Sequence, residues 1–360
     1  MRILHVVNEL DNFGDGIVNV TVDLACTQAD LGHEVSVVSS GGAFEPLLAA
    51  HGVTHHRASF TRTPRVLRSA FRVLGEVVTA EHPSVVHAHT MTPVVLLRVL
   101  RAAGRWRGSS RRAFLLVTTV HNEYQRGVVL MGLADVTVAV SQAVAAGMRK
   151  RGVPAGKVRV VLNGTLGTPR RRPVAEIAPL PLGGRAIVAL GAVSERKGAD
   201  VLLEAFAQLA PDRPDLHLWY VGNVDWPDIP LRAGRLASAE RIHFPGLERE
   251  PARYLKSATA FVLASRRDPF PLVLAEAREV GAAIVASAVD GVPEALDEGR
   301  AGVLVPVDDP AELAHQLAAV LDDPARVREL TARSRTGVER YSVQRMARDY
   351  LAVYSARRSP

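Results

Sequence analysis

The 360-residue chain has one cysteine, Cys26, which excludes a disulfide framework and any cysteine-rich metal site and fits a reducing compartment. Lysine is almost as scarce, with Lys150, Lys157, Lys197 and Lys256 alone beside many arginines, although the formal net charge is +7. Arginine in place of lysine is what a GC-rich genome writes, so the excess charge requires no nucleic-acid partner, and none is expected. No stretch of about 18 apolar residues occurs, and "MRILHVVNELDN" turns polar too early for a signal segment. The expected location is therefore cytoplasmic.

Motif absences narrow the chemistry further. There is no P-loop and no nucleophile-elbow sequence. "GDGIVN" (14–19) follows a strand and opens a helix, but it lacks the third glycine of a dinucleotide fingerprint, and the second strand ends in Ser39-Ser40 where a ribose-binding acid belongs. No paired-Asp motif for a divalent cation is present, and His87 and His89 in "VVHAHT" have no Cys or acidic partner at metal spacing. Neither a metal nor a cofactor is expected, and the two histidines read as structural.

What is present is strand–helix alternation, twice over. "RILHVVN", "HEVSVVSS", "SVVHAH", "FLLVTTVH" and "VTVAVS" read as strands of a parallel sheet with helices on both faces. After "VRVVLNG" comes "TLGTPRRRPVAEIAPLPLGG", rich in Pro, Gly and Arg, and then "AIVALGAV" restarts the pattern through "LHLWYVGN", "RIHFPGL", "ATAFVLAS", "AAIVASA" and "GVLVPV". The expected fold class is α/β, two Rossmann-like doubly wound domains facing a cleft: residues 1–165, a linker at 166–184, and 185–340. A last helix within 341–360 is expected to pack back on the first domain.

One further segment has two readings. In "RTPRVLRSAFRVLGEVV", Val66, Leu67, Ala70, Phe71, Leu74 and Val78 recur at helical spacing, and Arg65, Arg68 and Arg72 lie opposite. As a solvated face this helix needs no partner; as a lipid-facing surface it would give peripheral contact with anionic membranes.

"SRRDPFPLVLAEAREVGAAIVAS" (265–287) sets Asp268 and Glu276 on either side of an apolar run. Pro269 and Pro271 suit a helix start, so the helix should begin near Phe270 or Pro271, with Asp268 just before it and Glu276 about 8 Å inside along the axis. An anion beside that end would meet the positive helix terminus.

In this order and spacing, "TTVHNE", "VAVSQAV", "LGAVSERKGADVLLEAF", "YVGN", "FPGL", "DGVPEAL" and "AGVLVPVDDPAEL" join the segments above. Together they resemble the family 4 glycosyltransferases, retaining enzymes of GT-B fold, over nearly the whole chain. The resemblance implies a nucleoside diphosphate sugar donor, UDP-linked before GDP-linked, and an acceptor that is a small molecule, a saccharide or lipid-linked. By the same resemblance Lys197 holds the departing diphosphate, Glu276 takes the ribose, Asp268 orients the sugar and His121 touches it. Phe270, Pro271, Leu272 and backbone groups near Gly246-Leu247 complete the donor contacts, and Gly16 belongs to the N-terminal loop. Departures from the family pattern are Ala192 where an arginine is usual, for which Arg196 is the nearest replacement, Asp15-Gly16 for a glycine pair, Asp268 for a glutamate, and Pro271 for a glycine. Two other readings remain, a nucleotide-sugar epimerase of related fold and a non-catalytic donor-binding partner.

Overall fold

The computed structural model describes residues 1–11, 14–106 and 114–356, without the side chains of 104–106. It divides the chain into two compact units, Met1–Arg170 with Tyr341–Pro360, and Arg171–Arg340.

In the first unit the strands are β1 Arg2–Val6, β2 Glu34–Ser39, β3 Thr54–Arg57, β4 Val85–Ala88, β5 Leu115–Val120, β6 Val136–Ala139 and β7 Val158–Val160. They form one all-parallel sheet in the order β3-β2-β1-β4-β5-β6-β7. The helices between them are α1 Gly16–Asp30, α2 Glu45–Ala50, α3 Pro64–Glu81, α4 Met91–Trp106 and α5 Gln142–Lys150. Helices on both faces explain why β4 and β6 are buried at every residue, and why these strands read as unbroken apolar runs rather than alternating ones.

The second unit repeats the plan. Strands β8 Arg185–Leu190, β9 Leu216–Val221, β10 Ile242–Gly246, β11 Ala260–Leu263, β12 Ile284–Ser287 and β13 Val303–Val305 are parallel in the order β10-β9-β8-β11-β12-β13. Around them lie α6 Ala199–Leu209, α7 Asp228–Ala233, α8 Ala252–Ser257, α9 Leu272–Val280, α10 Val292–Ala295, α11 Pro310–Leu321 and α12 Pro324–Arg335. Leu202, Phe206, Leu216, Val262, Val285 and Leu317 are among the residues of its core.

The final helix, α13 Val343–Ser355, belongs to the first unit. Its return is held by backbone bonds, since the amides of Thr165 and Leu166 donate to the Tyr341 carbonyl at 2.8 and 3.0 Å and that of Val343 donates to the Leu166 carbonyl at 2.9 Å. Tyr350 and Tyr354 of α13 are fully buried.

The expected linker at 166–184 is not a segment apart. Thr168 donates to the buried Asp23 carboxylate at 2.5 Å, and Arg170 grips it with two bonds at 2.8 and 2.9 Å, so these residues belong to the first unit. From Arg171 onward the chain is tied into the second, where Arg171 pairs with Glu279 and Arg172 with Glu250. The arginines counted toward a linker in the sequence are ion-paired anchors.

In α3 the arginines 65, 68 and 72 are exposed, and the buried line runs through Ala70, Leu74 and Val77, while Val78 is only half-buried. Among the described residues no helix is long and apolar enough to cross a membrane.

Candidate active site

In each sheet the strand order reverses between two neighbours, β1 and β4 in the first, β8 and β11 in the second. Chains leaving the carboxyl ends of such a pair turn to opposite sides and open a crevice, the usual ligand position in doubly wound sheets. Lys197, Arg196 and Asp268 follow the second pair, and Gly16 follows β1 of the first.

In the second unit the segment after β8 carries Ser194–Gly198 and that after β11 carries Ser265–Pro271. Gly198 is required there. Its backbone is left-handed, with φ +63°, and a Cβ would come within 1.9 Å of the Ala264 carbonyl oxygen. This close approach lets the two loops lock together. The Arg266 amide donates to the Arg196 carbonyl at 2.9 Å, and Arg196 returns a bond from Nη1 to the Arg267 carbonyl at 3.1 Å. Arg266 bonds the Glu195 carbonyl at 2.7 Å and takes Asp200 in a two-pronged grip at 2.8 and 2.9 Å.

The product of this locking is one close ion pair. Lys197 Nζ donates to Asp268 Oδ2 at 2.6 Å, and Ser265 Oγ approaches the same oxygen at 3.3 Å. The side chains are 16 % and 6 % exposed. Asp268 is fixed through its backbone as well, its amide bonding Asp290 Oδ2 at 2.9 Å and its carbonyl accepting from the Gly291 amide at 3.1 Å.

The helix α9 starts at Leu272, one or two residues later than expected, because Pro271 stays extended with ψ 112° as its N-cap. No side chain caps this end. Phe270 and Pro271 are buried and Leu272 is half-buried. Glu276, half-buried, is the fifth residue of the helix. The helix is held in place by the fully buried Arg278, whose guanidinium bonds the carbonyls of Ser334, Ala295 and Thr336 at 2.9, 2.8 and 2.6 Å and Asp297 at 2.9 Å. Leu247 follows β10 at the edge of the sheet, two strands from β8, and is 46 % exposed.

In the first unit a cavity of about 540 Å³ opens at the carboxyl ends of the strands. It is lined by Asn8 and Glu9 after β1, Ser40 after β2, His89 and Thr90 after β4, and His121 and Asn122 after β5. Asp15 and Ile17 also line it, and Gly16 stands between them as the first residue of α1. The Asp15 carboxylate caps the helix by accepting from the Ile17 amide at 2.7 Å, so this departure from a glycine pair has a structural reason.

Behind the cavity is a histidine cluster. His89 Nδ1 and His121 Nε2 lie 3.2 Å apart, His89 Nε2 and His5 Nδ1 3.1 Å, and His5 Nε2 and Gln28 Oε1 2.9 Å. Burial drives the pKa of His121 down to about 3 and, against the Gln28 bond, that of His5 to about 4. Burial, with neighbouring imidazoles, also holds His87 and His89 well below the usual histidine value. All four rings are neutral at pH 7.

Lys197, Arg196 and Asp268 are thus brought together, Glu276 stands on the adjoining helix, and His121 and Gly16 belong to the first unit's cavity. Two features went unread. Asp290 in "DGVPEAL" was legible only as a turn acid, and His5 in "RILHVVN" only as one polar residue in a buried strand.

Comparison with known proteins follows the same division. Residues 14–165 match the model described as Glycosyltransferase Family 4, and residues 184–323 that described as Glycosyl transferases group 1. The chain is similar to the phosphatidyl-myo-inositol mannosyltransferase of Mycobacterium tuberculosis, with 34% identity over 180 residues, 48% of each chain. It is also similar to D-inositol 3-phosphate glycosyltransferase 1 of Catenulispora acidiphila, with 36% identity over 165 residues, 42% of this chain and 40% of that one. The match spans about half the length of these curated relatives. Among solved structures, Anabaena HepE in complex with UDP and glucose superposes with a TM-score of 0.81 at 19% identity, covering 98% of this chain and 99% of that one. A glycosyltransferase from Rickettsia africae gives 0.81 at 19%, covering 99% and 98%. At such identities the structures establish the fold, which is GT-B.

Proposed function

We propose, from the premise that this chain belongs to the glycosyltransferases of the family 4 type with GT-B fold, that it moves a hexosyl group from a nucleoside diphosphate sugar to an acceptor hydroxyl, with retention at the anomeric carbon and without a divalent metal. The observation that carries the reading is the Lys197–Asp268 pair at the reversal point of the second sheet, beside the uncapped start of α9. The Lys197 ammonium and the amides of the helix start offer a diphosphate what a metal ion offers elsewhere, positive charge where negative charge develops. Arg196 adds to that charge, in place of the arginine that Ala192 lacks.

In this reading Glu276 accepts from the ribose hydroxyls, and Asp268 orients the sugar once the diphosphate has drawn Lys197 away. The base rests near Gly246-Leu247, and Phe270, Pro271 and Leu272 shape the wall. The anomeric C–O bond to the diphosphate breaks, the acceptor oxygen bonds that carbon from the same face, and the acceptor proton passes to the leaving diphosphate oxygen. UDP is favoured as the carrier because HepE was solved with UDP and glucose. The first unit's cavity, lined with hydroxyl, amide and carboxylate groups, suits an acceptor rich in hydroxyls, in line with the inositol-based names of the relatives.

The test is incubation with UDP- and GDP-sugars and polyol acceptors in excess chelator, following nucleoside diphosphate release and the anomeric configuration of the product. Release that persists in chelator, with a retained anomer, is the expected result. Complete loss rescued by magnesium or manganese would sink metal independence. An isomerised but intact donor would point to an epimerase, and no turnover with intact binding to a donor-binding partner.

A further inference from the structure

The first unit buries more histidine than its cavity uses. His5, His87 and His89 bring ring nitrogens within 4.8 Å of one another, an arrangement in which a metal ion would be sought first. Every one of those six nitrogens already has a partner. His87 has the Tyr354 hydroxyl and the Thr119 hydroxyl, each at 2.7 Å; His5 has Gln28 and His89; His89 has His5 and His121. No nitrogen of the trio is left to hold an ion, and the cluster is a hydrogen-bonded chain.

That chain has a direction. Gln28 Oε1 can only accept, so His5 Nε2 carries the proton. A neutral imidazole has one N–H, which leaves His5 Nδ1 bare and makes His89 Nε2 the donor to it. The same step repeats at the next bond, where His89 Nδ1 is bare and His121 Nε2 donates. His121 lines the cavity with its Nε2 committed inward, so the nitrogen it has for a ligand is Nδ1.

We infer that Gln28 is a positioning residue: acting through His5 and His89, it holds His121 in the Nε2–H form and so makes the cavity-side nitrogen a hydrogen-bond acceptor. A ligand hydroxyl would then donate to His121 Nδ1, and an ether or keto group in its place would not be held. Depriving a site of its hydrogen-bonding partner discriminates strongly, because the group built to meet it stays unpaired. The identity of that hydroxyl rests on the proposed sugar-transfer function, but the proton's position does not.

The experiment reads that position directly, without substrate. Long-range 1H–15N spectra of the full chain with 15N-labelled histidine distinguish protonated from bare ring nitrogens, and single His→Gln variants assign them. The expected wild-type result at pH 7 is a neutral His121 with its proton on Nε2, in one form. A proton on Nδ1 would overturn it, since the Gln28 amide would then be turned over and the chain reversed, an arrangement that would also give the buried Gln28 nitrogen the partner it lacks here. A charged His121 or a mixture of forms would overturn it too. In Gln28→Met the direction is lost, and His121 should become a mixture of both forms with the fold intact by circular dichroism; a Gln28→Met spectrum with His121 still wholly Nε2–H would mean that Gln28 does not set it.

Discussion

The ion pair between Lys197 and Asp268 changes what Asp268→Asn should do. Had the two residues acted separately, loss of the Asp268 charge would weaken sugar positioning and leave binding of the free nucleoside diphosphate unchanged. Asp268 Oδ2 instead sits 2.6 Å from the ammonium, in a place where both side chains are mostly hidden from water. Asparagine keeps the shape and one acceptor but leaves the mostly hidden Lys197 with no counter-charge. Breaking a buried pair from one side costs about 3 to 5 kcal/mol, and the partial exposure of Lys197 with the surviving hydrogen bond argues for the lower end, about 3 kcal/mol. For a domain of this size that lowers the melting transition of the second unit by about 6 to 12 °C.

The same deletion frees Lys197 for an anion. Binding of UDP by the wild type must displace Lys197 from Asp268; in the variant there is nothing to displace, so affinity for the free diphosphate should rise by about tenfold, equivalent to about 1.4 kcal/mol. Saturating UDP should therefore close part of the gap in melting temperature, while turnover of the sugar donor falls. Thermal denaturation and titration calorimetry with UDP measure both effects. A cycle with Lys197→Met and the double variant isolates the pair, and the double variant should be less damaged than the two single losses added together. A variant with wild-type melting temperature and unchanged UDP affinity would refute the reasoning, because it would mean that the pair does not form in solution.

Glu276→Ala should weaken donor binding by about 10- to 150-fold, the loss of charge-assisted bonds of about 1.5 to 3 kcal/mol, against near silence if Glu276 is only a surface residue; direct titration of UDP decides it. Gly198→Ala should destabilise the second unit by about 2 kcal/mol or more, because the added Cβ meets a backbone carbonyl from a left-handed conformation, and urea unfolding of a variant as stable as the wild type would contradict that close approach. The histidine chain predicts acid sensitivity of the first unit. Folded-state pKa values of about 4 for His5 and about 3 for His121 lie below the unfolded 6.5, so the unfolded chain gains protons first as pH falls. Each ring should then remove about 1.4 kcal/mol of stability per pH unit below 6.5, down to its folded value, and leave stability above pH 7 unaffected. Unfolding curves between pH 7 and 5 measure the slope, and His5→Gln should reduce it; a flat dependence would argue against neutral buried rings.

What the sequence made legible was whatever depends on neighbours along the chain. Parallel strands buried on both faces leave unbroken apolar runs, so both sheets could be read. Pro271 marked the start of α9 to within two residues because a proline has few places in a helix. The pairing of Lys197 with Asp268 could not be read that way. It depends on β8 and β11 being neighbours, and strand order, not spacing, makes two loops 71 positions apart face one another. The arginines at 170–172 misled for the same reason, since their partners Asp23, Glu250 and Glu279 are distant in the chain and a charged Pro-rich stretch without partners looks like a linker. The histidines carry the argument furthest. His5 belongs to one of the two strands between which the first sheet reverses and His89 follows the other, and Lys197 and Asp268 belong to the loops after the two between which the second does, so in each unit the polar groups that a local reading treats singly are made into one device by the crossover that orders the sheet.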